Sequence, residues 1–75
     1  MDMRVLIGLH VRSARLRNGM SQGALAEKCG FSQQYLSELE NGKRNPTVIT
    51  LFEISQALGV EVHSLLMPSS VEGEN

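Results

Sequence analysis

Residues 22–39 constrain the fold of this chain more than any other stretch, because they predict two short helices joined by a tight turn at Gly30. Apolar or small residues recur on one side at helical spacing, namely Leu25, Ala26, Cys29, Phe31, Leu36 and Leu39. The polar positions between them are Gln22, Ser32, Gln33, Gln34, Ser37 and Glu38. One side of the unit can therefore pack on a core, and the other is free to contact a partner.

Helical periodicity and turn residues predict helices over the whole chain, at residues 3–17, 22–29, 33–41, 48–58 and 62–66. Three of them follow a hydroxyl side chain that can accept from the free amides of a first turn, and these capping residues are Ser21, Ser32 and Thr47. Glycines supply the C-terminal stops at Gly19, Gly30 and Gly59. Glu61 is a poor cap, so the start of the last helix is weakly signalled.

Two of these helices have apolar stripes that should form the core. On the first helix the stripe consists of Val5, Ile7, Val11 and Ala14 and, less strictly, of Leu6, Leu9 and Leu16. On the fourth it consists of Val48, Leu51, Ile54, Ala57 and Leu58, with Phe52 beside it. Aromatic residues make up only 4% of the chain, which favours an aliphatic helical core. The sequence thus predicts one all-α domain over residues 1–67, a compact five-helix bundle, followed by a disordered acidic tail over residues 68–75.

The composition argues against several classes of protein. The net charge of −1 and the pI near 6.1 are not those of a general nucleic-acid coat. Without Glu72 and Glu74 of the tail, seven basic and six acidic residues remain, and the net charge becomes +1. No apolar run approaches the length of a membrane span, no secretory signal is evident, and Cys29 is the only cysteine. We therefore expect a cytoplasmic protein without an internal disulfide.

Residues that could support catalysis or bind a metal are sparse. The sequence shows no nucleophile paired with a base, no carboxylate dyad and no glycine-rich phosphate loop, so an enzyme is not expected. His10 and His63 lack further ligands at metal-binding spacing and are expected at the surface. Cys29 lies on the apolar side of its helix, which favours a small buried hydrophobe over a redox sensor. We expect no cofactor, no metal and no small-molecule ligand.

Residues 22–39 resemble the helix-turn-helix of the phage repressor and Cro-type (XRE-like) regulators. The matching positions are Ala26 where the helices cross, Gly30 in the turn, and the aliphatic residues Leu25, Leu36 and Leu39. The likeness extends over residues 7–66 and includes the link at residues 41–46. Residues 35–37 and 42–46 also resemble the controller proteins of restriction-modification systems.

The resemblance implies a lambda repressor-like DNA-binding domain that acts as a homodimer on a near-palindromic, double-stranded DNA operator. In such a unit the second helix enters the major groove with its N-terminal side chains at the base edges. The candidate base-contacting residues are Gln33, Gln34, Ser37 and Glu38. A glutamine amide can pair with adenine, Ser37 can contact a base or a phosphate, and Glu38 can accept from cytosine or exclude a phosphate. Contacts to the DNA backbone are expected from Gln22, Ser32, Tyr35, Asn41, Lys43, Arg44, Asn45 and Thr47.

Each assignment has a plainer alternative. Gln33 and Gln34 could form an ordinary solvated helix face, and Lys43 and Arg44 a hydrophilic turn. A protein-interaction module, such as an antitoxin-like partner or an adaptor, could use the same fold, and the acidic pI and apolar last helix favour it. DNA contact is the interpretation that we adopt.

Two further expectations concern residues away from the DNA. The resemblance implies an ion pair between Arg15 and Glu40, which would tie the first helix to the end of the third. Several apolar residues towards the C-terminal end could complete the core or form a dimer interface, and we expect the interface. They are Phe52, Leu65, Leu66 and Met67.

Overall fold

The computed structural model describes residues 2–68 and contains, in that part of the chain, four α-helices and one 3₁₀ helix. The α-helices are α1 (Met3–Arg17), α2 (Gln22–Cys29), α3 (Gln33–Glu40) and α4 (Val48–Leu58), and the 3₁₀ helix is Val62–Leu65. The predicted all-α architecture is confirmed, but the fifth helix is a single 3₁₀ turn instead of an α-helix. Apart from Pro68, the tail predicted over residues 68–75 lies outside the described residues.

The α-helices begin and end close to the residues that the sequence indicates. Ser21, Ser32 and Thr47 each accept a hydrogen bond from the backbone N–H three residues further on, at 3.0 to 3.1 Å. Each hydroxyl thereby satisfies one amide that the first turn of a helix leaves without an intrahelical partner. Helices α2 and α4 end at Gly30 and Gly59, whose φ angles of 79° and 70° are left-handed. Helix α3 ends one residue earlier than predicted.

Helix α1 has a cap that the sequence reasoning did not identify. The Oδ1 atom of Asp2 accepts from the backbone N–H of Arg4 at 3.0 Å, and the Arg4 guanidinium lies 3.1 Å from the other carboxylate oxygen. The hydrogen bond from the Arg4 side chain, followed by the one from its backbone, lowers the pKa of Asp2. The Asp2 carboxylate lies at the N-terminal end of α1, where the helix dipole stabilises a negative charge.

The core is aliphatic, as predicted, and its largest fully buried apolar side chains are Val11, Leu25, Leu36, Leu39, Ile54 and Leu65. Four predicted core positions are wrong. Leu9 and Leu16 are 57% and 54% exposed because they lie on the outer side of α1, away from Val11. Val48 is 75% exposed because the chain enters α4 from an exposed loop, so that the buried stripe of this helix begins only at Leu51. Val5 is 46% exposed, and it lies against Gly42, which has no side chain to cover it.

Helix α1 crosses the C-terminal end of α3 at Gly8. A Cβ atom built on Gly8 would lie 2.5 Å from the carbonyl oxygen of Leu39 and 2.6 Å from that of Glu40. Real Cβ atoms essentially never approach other heavy atoms so closely. Glycine is therefore the residue that lets the two backbones meet, and this contact fixes the last turn of α3 against α1.

Candidate nucleic-acid interface

The turn between α2 and α3 is closed by the protein backbone. The N–H of Phe31 donates to the carbonyl oxygen of Ala26 at 2.8 Å, across the left-handed residue Gly30. The inner side of α3 is fully covered, since Leu36 and Leu39 are 0% and 1% exposed. The opposite side of α3 consequently faces solvent.

Two glutamines project from the first turn of α3. Gln33 and Gln34 are both exposed. Gln33 leans over the start of α2, where its Oε1 atom lies 3.5 Å from the position that a Cβ on Gly23 would take. Ser37 and Glu38 are half-buried one turn further on. Because residues three and four apart share a helix face, the four predicted base-contacting residues lie on one side of α3.

Glu38 and Arg44 form an ion pair beside the glutamines. Arg44 Nε donates to Glu38 Oε1 at 2.9 Å, and the Arg44 guanidinium carbon lies 5.1 Å from the centroid of the Tyr35 ring. Tyr35 in turn packs edge-on against Phe31, with ring centroids 5.2 Å apart. The hydrogen bond from Arg44, followed by one from Gln34, holds the pKa of Glu38 below its ordinary value. At neutral pH the carboxylate is therefore charged and keeps Arg44 against α3.

The loop from α3 to α4 folds back onto the end of α3. Asn41 is the C-cap residue, Gly42 has a φ of 77°, and the backbone N–H of Lys43 donates to the carbonyl oxygen of Glu38 at 2.9 Å. The polar side chains of the loop are exposed, and they are Asn41, Lys43, Arg44, Asn45 and Thr47. The loop thus places two cations next to the solvent-facing side of α3.

Arg15 and Glu40 form a buried ion pair behind this surface. Arg15 Nε donates to Glu40 Oε2 at 2.7 Å and Nη2 to Oε1 at 3.0 Å, and the two side chains are 9% and 2% exposed. Hydrogen bonding to Glu40 raises the pKa of Arg15. Arg15 Nη1 also donates to the carbonyl oxygen of Met20 at 2.9 Å. The pair joins α1 to the last turn of α3.

Gln22 takes part in the same network. Its Nε2 atom donates to Glu40 Oε1 at 3.0 Å, so the amide group expected at a DNA phosphate is directed towards the protein. The sequence places Gln22 at the polar start of α2 but contains no signal for this bond, which depends on how the helices are arranged. The side chains of Arg15, Gln22 and Glu40 thereby connect three helices.

The four residues predicted for a dimer interface do not form one surface. Leu65 is 1% exposed and belongs to the core, so its assignment to an interface is wrong. Leu66 is half-buried against the core. Phe52, which is 51% exposed, lines a shallow depression with Cys29 of α2. Met67 is 41% exposed and lines a separate groove beside α1.

Helix α4 exposes apolar side chains that the sequence reasoning placed elsewhere or passed over. Val48 and Ile49 are 75% and 72% exposed, the highest values for large apolar residues in the described part of the chain. Phe52 follows one turn later on the same helix. These three residues are called the α4 patch below. Ile49 and Phe52 lie three residues apart and outside the buried stripe. This spacing is the sequence signal from which the α4 patch could have been predicted.

The remaining candidates do not form a reactive or metal-binding group. His10 Nε2 hydrogen-bonds to the carbonyl oxygen of Met67, and His63 is exposed. Cys29 is half-buried, and burial raises the pKa of its thiol, which disfavours the reactive thiolate. Among residues 2–68, no three His, Cys, Asp or Glu side chains are grouped to hold a metal ion. Every helix in the same range is shorter than a membrane span requires.

The family described as Helix-turn-helix (HTH_3) matches residues 11–65, which include α2, α3 and α4. The chain belongs to this family. It is 52% identical over 69 residues to the uncharacterized HTH-type transcriptional regulator y4dJ of Sinorhizobium fredii. That match covers 92% of this chain and 90% of the relative.

Two further helix-turn-helix proteins extend the comparison. Control protein C.BamHI of Bacillus amyloliquefaciens is 41% identical over 66 residues, covering 87% of this chain and 82% of its own. The crystal structure of SinR, the master regulator for biofilm formation, in complex with DNA superposes with a TM-score of 0.76 and 40% identity. The superposition covers 81% of this chain and 98% of the SinR chain. These relatives are regulators and a control protein, and the family expected from the sequence is confirmed.

Proposed function

We propose that the chain is a cytoplasmic, sequence-specific transcriptional regulator that binds a near-palindromic, double-stranded DNA operator as a homodimer. The observation that supports this most is the solvent-facing side of α3, where Gln33 and Gln34 are exposed on a helix whose other side is buried. A B-DNA major groove accepts one α-helix, and α3 has the polar surface to enter it. The SinR–DNA complex provides a relative in which this fold meets DNA.

Gln33 and Gln34 make the base contacts in this proposal. A glutamine amide pairs with N6 and N7 of adenine, and one such bidentate pair discriminates against a wrong base by about 1 to 3 kcal/mol. Ser37, one turn further along the same face, is short enough to reach either a base or a phosphate. These side chains stand on a helix fixed by buried leucines, so their positions are set before DNA binds.

The DNA backbone is bound by the start of α2 and by the loop after α3. Because the Gln22 side chain bonds to Glu40, the backbone N–H of Gln22 is the group left for a phosphate, assisted by the positive end of the helix dipole. Lys43 and Arg44 contribute positive charge. Further hydrogen-bond donors come from Ser32, Tyr35, Asn41, Asn45 and Thr47. Such contacts fix the register of the protein without distinguishing sequences.

A second copy of the chain covers the α4 patch. Val48, Ile49 and Phe52 expose large apolar side chains beside one another, and a twofold contact between two α4 helices removes both patches from water. The two α3 helices of such a dimer bind half-sites about 34 to 36 Å apart, one turn of the DNA helix. The near-palindromic operator follows from that symmetry.

Selection of bound fragments from random duplexes tests the proposal. The expected result is one twofold-symmetric sequence whose affinity falls steeply with salt. On that operator Gln34→Ala should lose about 1 to 3 kcal/mol and relax one position in each half-site. Arg44→Ala should instead weaken all sequences alike and make the salt slope shallower. Equal losses of Gln34→Ala on random DNA would refute base contact, and failure to bind any duplex would favour a protein-interaction module.

A further inference from the structure

The Glu38 carboxylate is hydrogen-bonded on both oxygens to side chains with different roles in the proposed function. Its Oε1 atom accepts from Arg44 Nε at 2.9 Å, and its Oε2 atom accepts from Gln34 Nε2 at 3.4 Å. Gln34 lies one turn before Glu38 on α3, whereas Arg44 reaches it from the following loop. One carboxylate therefore connects a base-contacting amide with a phosphate-binding cation.

The Arg44 guanidinium is held through Nε, and its two terminal nitrogen atoms are free in the described part of the chain. It bonds to Glu38 through Nε alone, while its carbon atom lies 5.1 Å from the Tyr35 ring centroid. Within residues 2–68, its Nη1 and Nη2 atoms have no hydrogen-bond partner. A guanidinium binds phosphate through a fork of such N–H groups. Glu38 and Tyr35 thus orient Arg44 without using the donors that a phosphate needs.

We infer that Glu38 is a positioning residue that orients the Gln34 amide and the Arg44 guanidinium together and does not itself contact a base. The inference rests on the proposed function and deepens it. It replaces the base-contacting role that the sequence suggested for Glu38, because the carboxylate is turned towards Gln34 and Arg44 and accepts from both.

Glu38 also offsets the charge of Arg44. The two side chains are 32% and 49% exposed, and the carboxylate next to the guanidinium reduces its attraction for the phosphates of any sequence. Arg44 then contributes less to the binding of any DNA than it would beside a neutral residue. When Glu38 is neutralised, the binding of Arg44 to random DNA should release about one further counterion from the DNA. The slope of log affinity against log salt then becomes steeper by about 0.9.

Glu38→Gln tests this consequence, since it keeps the side-chain length and one acceptor oxygen but removes the charge. Glu61→Gln is the matched control, because it makes the same charge change at an exposed residue before the 3₁₀ helix. Only Glu38→Gln should steepen the salt slope on random duplex, by about 0.9. It should also lower the ratio of operator to random affinity about fivefold or more. Identical slopes for the two variants would overturn the inference.

Systematic substitution of operator base pairs separates positioning from base contact. If Glu38 acts through Gln34, Glu38→Gln loses discrimination at the same base pair as Gln34→Ala. The double variant should then lose no more than the larger single loss. Loss confined to a different base pair that contains cytosine, or fully additive losses, would identify Glu38 as a base contact instead.

NMR on the free protein can measure how fast the Arg44 Nε proton exchanges with water. This measurement examines the hydrogen bond between Arg44 and Glu38 without DNA. This proton should exchange with water more slowly in the wild type than in Glu38→Gln, while the Nε proton of exposed Arg12 serves as the reference. Selective DNA binding with an unprotected Arg44 proton would reject the inference alone. A protected proton in a protein that selects no sequence would reject the proposed function, with the Glu38 contact still intact.

Discussion

Replacing Gly8 by alanine should destabilise the protein, although alanine is the better helix former. Gly8 lies in the interior of α1, where it contacts the carbonyl oxygens of Leu39 and Glu40 at the end of α3. Both contact atoms belong to the backbone and cannot rotate away from an added methyl group. The substitution therefore has to separate α1 from α3.

Two opposing contributions determine the size of the effect. Alanine favours a helix interior over glycine by about 1 kcal/mol. Against this, the new Cβ atom would lie 2.5 Å from a carbonyl oxygen, whereas ordinary contact begins at 3.4 Å, so the helices must move apart by about 0.9 Å. Overpacking of this kind costs about 1 to 3 kcal/mol, and a contact with backbone belongs at the upper end. The net destabilisation is about 2 kcal/mol.

Thermal denaturation followed by circular dichroism measures this effect at one fixed protein concentration, because the stability of the proposed dimer depends on concentration. The midpoint of Gly8→Ala should fall by roughly 8 to 16 °C. Gly23→Ala is the control, since its Cβ would meet side-chain atoms at ordinary contact distance, Gln33 Oε1 at 3.5 Å and Ser21 Oγ at 3.9 Å. It should leave stability unchanged or raise it by up to about 1 kcal/mol. A midpoint of Gly8→Ala at or above that of the wild type would refute the close approach of α1 and α3.

Three further changes test contacts around α3 and α4. Glu40→Ala should cost about 3 to 5 kcal/mol because it leaves the Arg15 guanidinium buried without its partner, and an unchanged urea midpoint would contradict this. Ile49→Asp should give a folded monomer, detected by sedimentation beside an unchanged helical spectrum; a dimer would place the interface elsewhere. Because the pKa of Glu38 is lowered, its pair with Arg44 is complete above the ordinary glutamate pKa and is lost as pH falls through the lowered value. A carboxyl NMR titration with a midpoint at or above the ordinary value would contradict the pairing.

Helix boundaries in this chain could be predicted because each depends on a few neighbouring residues. Ser21 and Thr47 cap their helices through hydroxyls that reach only three residues forward. Gly30 ends α2 because a left-handed residue is needed there. These local interactions do not depend on the positions of the other helices. The α2–turn–α3 unit could therefore be located from the sequence.

The incorrect predictions concern contacts that the rest of the molecule determines. Val48 has the periodicity of a core residue, but no neighbouring element covers the first turn of α4. Leu65 was assigned to a dimer interface as an apolar residue near the C-terminal end, whereas it is 1% exposed and belongs to the core. The role of Gly8 depends on two carbonyl groups more than thirty residues away. Helical periodicity alone contains no information about such distances.

The same distinction applies to the candidate site. The exposed positions of Gln33 and Gln34 follow from the period of α3, and the sequence was sufficient to place them. The side-chain hydrogen bonds of Gln22 and Glu38 were not predictable. Gln22 bonds to Glu40 because α2 and the end of α3 are neighbours, and Glu38 bonds to Arg44 because the loop folds back.

Helix α3 is anchored at one end and exposed at the other, and in the proposed function this division separates affinity from sequence preference. Its last turn is held by the Gly8 contact and by the pair of Arg15 with Glu40. Its first turn projects Gln33 and Gln34 into solvent. Weakening the anchor should allow the whole helix to tilt, which would misplace the proposed base and phosphate contacts together. Conservative changes at the anchor should therefore reduce affinity for every sequence while the preferred operator stays the same, whereas changes in the first turn alter the preference itself.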